Sequence, residues 1–182
     1  MSKVIIFPTD TVYGIGTPIF DIEGINRIYE IKKRPKEKPL ACLCADLKQI
    51  ESIAYLNDKA IKLIKELLPG PLTLILKSKE DVLNKIGYKT IGVRIPNSKI
   101  ALDILKENGP MLTTSVNESG KVALNEYNDI KKNYNDLVDY IYNTDRKSSN
   151  IASTVVMIED DSFKVLREGQ ISLEEIIRIA NN

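Results

Sequence analysis

The chain has 182 residues, 43% of them hydrophobic, with 26 Lys+Arg against 25 Asp+Glu and a formal net charge of +1. That is enough apolar content for one compact domain over residues 1–182, and too little net charge for a global field that grips nucleic acid. With no histidine, Ser-His-Asp and Cys-His triads, histidine metal sites and imidazole base catalysis are excluded. Carboxylates, hydroxyls, Lys/Arg, backbone amides and a substrate-borne metal remain, a set suited to phosphoryl or nucleotidyl transfer.

In chain order, residues 4–7 predict a strand stopped by Pro8. Ile22, Ile25, Ile28 and Tyr29 share one helical face behind Asp21, a natural N-cap. Residues 40–44 predict a buried strand in which Cys42 and Cys44 serve as small apolar residues, with a reactive thiol as the alternative, since a C-x-C pair alone builds no zinc site. Helices are expected over 47–53 and over 58–68, the second opened by Asn57 and ended by Pro69-Gly70-Pro71. Strands over 72–77 and 90–95 precede a helix over 98–106, ended by Asn108-Gly109-Pro110, and then a strand over 111–116. A polar helix over 126–134, strands over 138–142, 154–158 and 163–167, and a last helix opened by the Ser172/Glu175 capping box complete the pattern. Strands alternate with helices, but several follow one another directly, so the expected fold is one α/β domain with a mixed sheet. No apolar run is long enough to cross a bilayer and no secretory segment opens the chain, so a soluble cytoplasmic protein is expected.

Five segments carry chemistry. Pro8-Thr9-Asp10-Thr11-Val12-Tyr13-Gly14-Ile15-Gly16 brings hydroxyls and free amides to a strand end; it also reads as an ordinary turn. The stretch 27–38 holds six Lys/Arg and two Glu. Pro35 disfavours a helical Arg34, and if the segment is extended Lys32 and Arg34 point the same way as a polyphosphate clamp; otherwise they are a solvated helix end. Thr90, Gly92 and Arg94 share one strand face, where Arg94 either lines a polar cavity or sits at a solvated edge. Ser115 and Asn117 can converge at a strand end, or simply form a turn. Ser153 opens one strand and Arg167 closes the next, so a hairpin would put both at one end of the sheet.

In order and spacing these segments, with Pro-Gly-Pro-Leu-Thr at 69–73, Ser-Thr-Val-Val from Ser153 and Leu-Arg-x-Gly ending at Gly169, resemble the YrdC-like threonylcarbamoyl-AMP synthase family. The resemblance implies a twisted mixed sheet flanked by helices around a large polar cavity. It implies ATP carrying Mg²⁺, L-threonine and bicarbonate as ligands, and threonylcarbamoyl-AMP as a product for tRNA modification. By the same resemblance Lys32, Arg34, Ser115 and Asn117 are the catalytic set at the nucleotide phosphates, with Thr90 and Arg167 as further ATP contacts, while Thr9, Arg94, Thr113 and Ser153 form the threonine pocket. It implies a tRNA threonylcarbamoyltransferase as the downstream partner, weak RNA contact and no membrane association. Where family members often carry a histidine, this chain has Ala41-Cys42-Leu43-Cys44. Under this reading Lys32→Ala and Arg34→Ala lose most activity while folding normally. Two rival readings are an RNA-binding module without catalysis and a relative that adenylates carbamate from carbamoyl phosphate.

Overall fold

The computed structural model describes residues 2–144, 148–159 and 162–181. Strand β1 (Ile5–Phe7) turns back into β2 (Gly14–Pro18), and α1 (Ile22–Lys32) follows, capped by the Asp21 carboxylate on the Gly24 N–H. Next come β3 (Ala41–Leu43), α2 (Leu47–Ile53), α3 (Asp58–Leu67), β4 (Leu72–Lys77), α4 (Glu80–Ile86), β5 (Thr90–Arg94), α5 (Lys99–Asn108) and β6 (Met111–Ser115). The chain continues with α6 (Tyr127–Tyr134), β7 (Tyr140–Ile141), β8 (Thr154–Glu159), β9 (Ser162–Arg167) and α7 (Leu173–Asn181).

The strands form one nine-stranded sheet in the order β7-β1-β2-β6-β3-β5-β4-β8-β9. It is mixed, as expected: β1/β7, β3/β5 and β4/β8 run parallel and the other neighbours antiparallel. Two elements escape the sequence pattern. The interior strand β2 reads as a turn because its Gly-Ile-Gly-Thr-Pro has poor strand propensity. Helix α4 is short, though acids in its first turn, Lys85 in its last and Gly87 beyond were legible stop and start signals.

Alternation along the strands sorts the two sheet faces. Ile15, Leu112, Cys42, Val93, Leu74 and Val156 point into the main core, which α1, α2, α3, α4, α6 and α7 cover. The opposite face carries a smaller cluster in which Ile104 and Leu105 of α5 pack on Ile5, Phe7, Leu43 and Met111. Both cysteines are buried and free, and burial pushes the Cys42 thiol up, so they act as core residues. Among the described residues no helix is long and apolar enough to cross a membrane.

Candidate functional site

The face shared with α5 also holds a cavity of about 350 Å³, within the range of small-molecule sites. Its floor is the set of residues that alternate away from the core: Gly14, Ala41, Leu43, Gly92 and Thr73. A Cβ at Gly92 would come 3.0 Å from Ile75 Cδ1 and 3.2 Å from Thr73 Cγ2, so a larger residue there would press on both side chains. Hydroxyls ring the floor, from Thr9, Thr11, Thr113, Thr114, Ser115 and Ser153. Among the described residues three arginines, Arg34, Arg94 and Arg167, line it, and no Asp or Glu does. A cavity lined by hydroxyl donors and several guanidinium groups suits anions.

Arg94 ends β5 with its side chain 7% exposed. Its Nε donates to Gly70 O at 2.9 Å, Nη1 to Thr11 Oγ1 at 2.8 Å and Nη2 to Asp10 Oδ1 at 2.5 Å. Burial pulls its pKa down and nearby Arg167 adds to this, while Asp10 opposes both. The edge-strand alternative is thereby removed: Arg94 is an interior cation with a carboxylate partner. Arg167 closes β9 beside Ser153, as the hairpin reading anticipated, donating from Nε to Ser153 O and from Nη2 to Ser153 Oγ, each at 3.0 Å. Ser153 Oγ also meets Thr73 Oγ1 at 2.8 Å. Thr9 Oγ1 donates to Val12 O at 2.6 Å and lies 3.1 Å from Thr11 Oγ1, so the turn reading of that loop and the cavity reading both hold. Thr113 Oγ1 donates back to Met111 O at 3.1 Å.

The extended Lys32/Arg34 clamp is not what forms. Helix α1 runs through Lys32, and Lys33 takes the left-handed conformation (φ 49°, ψ 43°). The Lys33 and Arg34 N–H groups close on Glu30 O and Tyr29 O, the paired bonds of a Schellman cap. The two side chains therefore diverge. Arg34 folds over the following loop, Nε on Lys38 O at 2.9 Å and Nη2 on Pro39 O at 3.0 Å, and reaches the cavity. Lys32 is 1% exposed and absent from the cavity lining. Its ammonium donates to Ser115 O, to Asn117 O at 2.7 Å and to Asn117 Oδ1 at 3.0 Å. Three acceptors match the three donors of –NH₃⁺. Burial, reinforced by Arg34, lowers its pKa to about 8. Asn117 also stands outside the cavity; its Oδ1 accepts from Ser115 Oγ at 2.6 Å and its amide donates to Glu118 O and Lys121 O. Lys32 and Asn117 thus pin the end of β6 from below, leaving Ser115 as the member of this pair that lines the cavity. Thr90 shares a face with Gly92 and Arg94 but is exposed at the outer end of β5, outside the lining.

Sequence reasoning did not single out Asp10, Thr11 and Thr73. Thr11 and Thr73 line the cavity and Asp10 grips Arg94. The first two lay inside the Thr-Asp-Thr motif and the third ended Pro-Gly-Pro-Leu-Thr, but only the fold shows which side chains meet.

A family model for Sua5/YciO/YrdC, described as "Telomere recombination", matches residues 1–169. A Methanocaldococcus jannaschii relative, provisionally named a threonylcarbamoyl-AMP synthase, is 37% identical over 97% of this chain and 84% of its own length. A Bacillus subtilis protein named threonylcarbamoyl-AMP synthase is 34% identical over 96% of this chain, which spans only 52% of that longer protein. The crystal structure of Pyrococcus abyssi Sua5 complexed with L-threonine superposes with a TM-score of 0.89 at 32% identity, covering 97% of this chain and 53% of that one. Sequence match, cavity-bearing sheet and shared architecture agree: the chain belongs to the Sua5/YciO/YrdC family.

Proposed function

We propose that this chain is a threonylcarbamoyl-AMP synthase, joining L-threonine, bicarbonate or CO₂, and ATP for the modification of an adenosine in tRNA. The observation that carries the reading is the cavity itself, where, among the described residues, three arginines and a ring of hydroxyls face one space with no lining carboxylate. The names of the relatives and the threonine complex of P. abyssi Sua5 support it. In this reading residues 1–182 act as a single domain.

The reaction explains the charge. Threonine's amine attacks CO₂ to give a carbamate and releases a proton. A carbamate oxygen then attacks the α-phosphorus of ATP, and the bond to pyrophosphate breaks. A carbamate, a carboxylate and a triphosphate must share one site, and two unit charges about 4 Å apart repel by roughly 4 kcal/mol at an effective dielectric near 20. Arg94, Ser153, Thr9 and Thr113 cluster where the threonine would sit; Arg34, Arg167 and Ser115 face the nucleotide phosphates. Mg²⁺ enters with ATP as part of the substrate. Catalysis is by proximity and charge stabilisation, which suits a chain without histidine. Lys32 and Asn117 serve by fixing the β6 end that presents Ser115.

The test is pyrophosphate release from MgATP and bicarbonate with and without threonine. Release only with threonine supports the reading. Release with carbamoyl phosphate in its place favours the carbamate-adenylating rival, and salt-sensitive tRNA binding without turnover favours the RNA-binding one.

A further inference from the structure

One of the cavity's cations, Arg94, is balanced from outside the lining, by Asp10. Its carboxylate is 17% exposed and takes no part in the cavity lining, while its partner Arg94 does. Oδ1 accepts from Arg94 Nη2 at 2.5 Å and from the Asn97 N–H at 3.0 Å. The backbone around Asp10 is itself tied down. Ser149 N donates to Asp10 O and Asn150 N to Thr11 O, each at 3.0 Å, and Ser98 Oγ donates to Pro8 O at 3.0 Å. The carboxylate is therefore a fixed point, held by the ends of β1 and β5 and by the segment entering β8.

We propose that Asp10 is a positioning residue that orients Arg94 to receive the carboxylate of the amino-acid substrate. The inference rests on the function proposed above and deepens it. Anchors at Gly70 O, Thr11 Oγ1 and Asp10 Oδ1 hold three different nitrogens of the guanidinium, which fixes its plane. Three of the five N–H groups are matched by these residues, and among the described residues the other two have no further partner. A carboxylate inside the cavity would repel the substrate's own; placed behind the arginine, it steadies a buried cation that lies beside Arg167 without competing for it. A bidentate carboxylate contact depends on the angle of the fork, so loosening the anchor weakens ground-state binding of threonine more than it alters the chemical step.

The experiment compares Asp10→Asn and Asp10→Glu with the wild type in steady-state kinetics, with melting curves alongside. D10N keeps an oxygen for the Asn97 N–H but removes the charge. It is expected to raise the threonine KM about tenfold, leaving the ATP KM and kcat close to wild type, as for loss of one charge-assisted contact. D10E keeps the charge and is expected to stay nearer the wild-type threonine KM. Equal rises in the threonine and ATP KM values, or an unchanged threonine KM in D10N, would overturn the proposal. So would a D10E as impaired as D10N, and D10E also decides the question if D10N does not fold. If wild-type protein shows no threonine-dependent turnover, the functional reading fails instead, and threonine binding measured by calorimetry on the same variants tests Asp10 separately.

Discussion

At the scale of single residues, Lys32 and Arg34 show how two neighbouring cations take different work. A left-handed Lys33 between them turns one side chain into the protein and the other toward the cavity. Lys32→Ala would leave Ser115 O, Asn117 O and Asn117 Oδ1 without their donor. It is expected to cost about 2–4 kcal/mol of stability, measured by urea unfolding, so normal folding is no longer the expectation for this variant. Arg34→Ala is expected to fold normally and to lose about 10²- to 10³-fold in kcat/KM, as when one charge-stabilising donor is removed. The Lys32 pKa also sets a pH dependence. Below about pH 8 the group is charged in both folded and unfolded chains, and above about 10.5 it is neutral in both. Between these values the unfolded chain holds more protons, so this residue makes stability rise with pH across that window. Chemical denaturation of wild type and Lys32→Met over that range checks the sign, since the variant should lose this rise. Composition and spacing exposed Lys32, Arg34, Arg94, Ser115 and Asn117 as polar residues in unusual places. They could not show a Schellman cap with lysine at the left-handed position, where glycine is usual, nor the Asp10 carboxylate 84 positions away from Arg94.

At the scale of elements, most helices and strands were legible because periodicity and caps agreed: Asn57 Oδ1 does accept from Ala60 N, and α2 and β4 fall on their expected bounds. The exception that matters is β2. Its glycines carry no strand signal, yet the sheet needs them. A Cβ at Gly14 would lie 2.6 Å from Thr113 Cγ2 on the neighbouring β6. Gly14→Ala is thus expected to cost about 1–3 kcal/mol through overpacking. Thr113→Ser, which removes that methyl, should recover part of the loss in the double variant; thermal melts of the four proteins give the coupling. Gly169 has a stricter constraint. A Cβ there would meet backbone at Thr154 N (2.4 Å), Ala152 O (2.5 Å) and Ser153 C (2.6 Å). Gly169→Ala is expected to lower the melting temperature and to move Ser153 and Arg167 out of register, so threonine binding should fall with it.

At the scale of the whole molecule, charge is local rather than global. Net charge is +1 over the full chain, while among the described residues the cavity gathers three arginines and no lining carboxylate. The nine-stranded sheet achieves this by dividing its faces, one given to the helix-covered core and the other shared between α5 and the cavity. Ligands that fill the cavity should stabilise the fold by mass action, about 2.7 kcal/mol at 100-fold excess over Kd, read as a rise in melting temperature with MgATP and threonine together. The most direct test of the central claim follows the carbon atom. Protein incubated with ¹³C-bicarbonate, threonine and MgATP is expected to yield an adenylate whose mass carries threonine, AMP and the labelled carbon. Folded protein that binds ATP but forms no labelled threonylcarbamoyl adenylate would contradict the account.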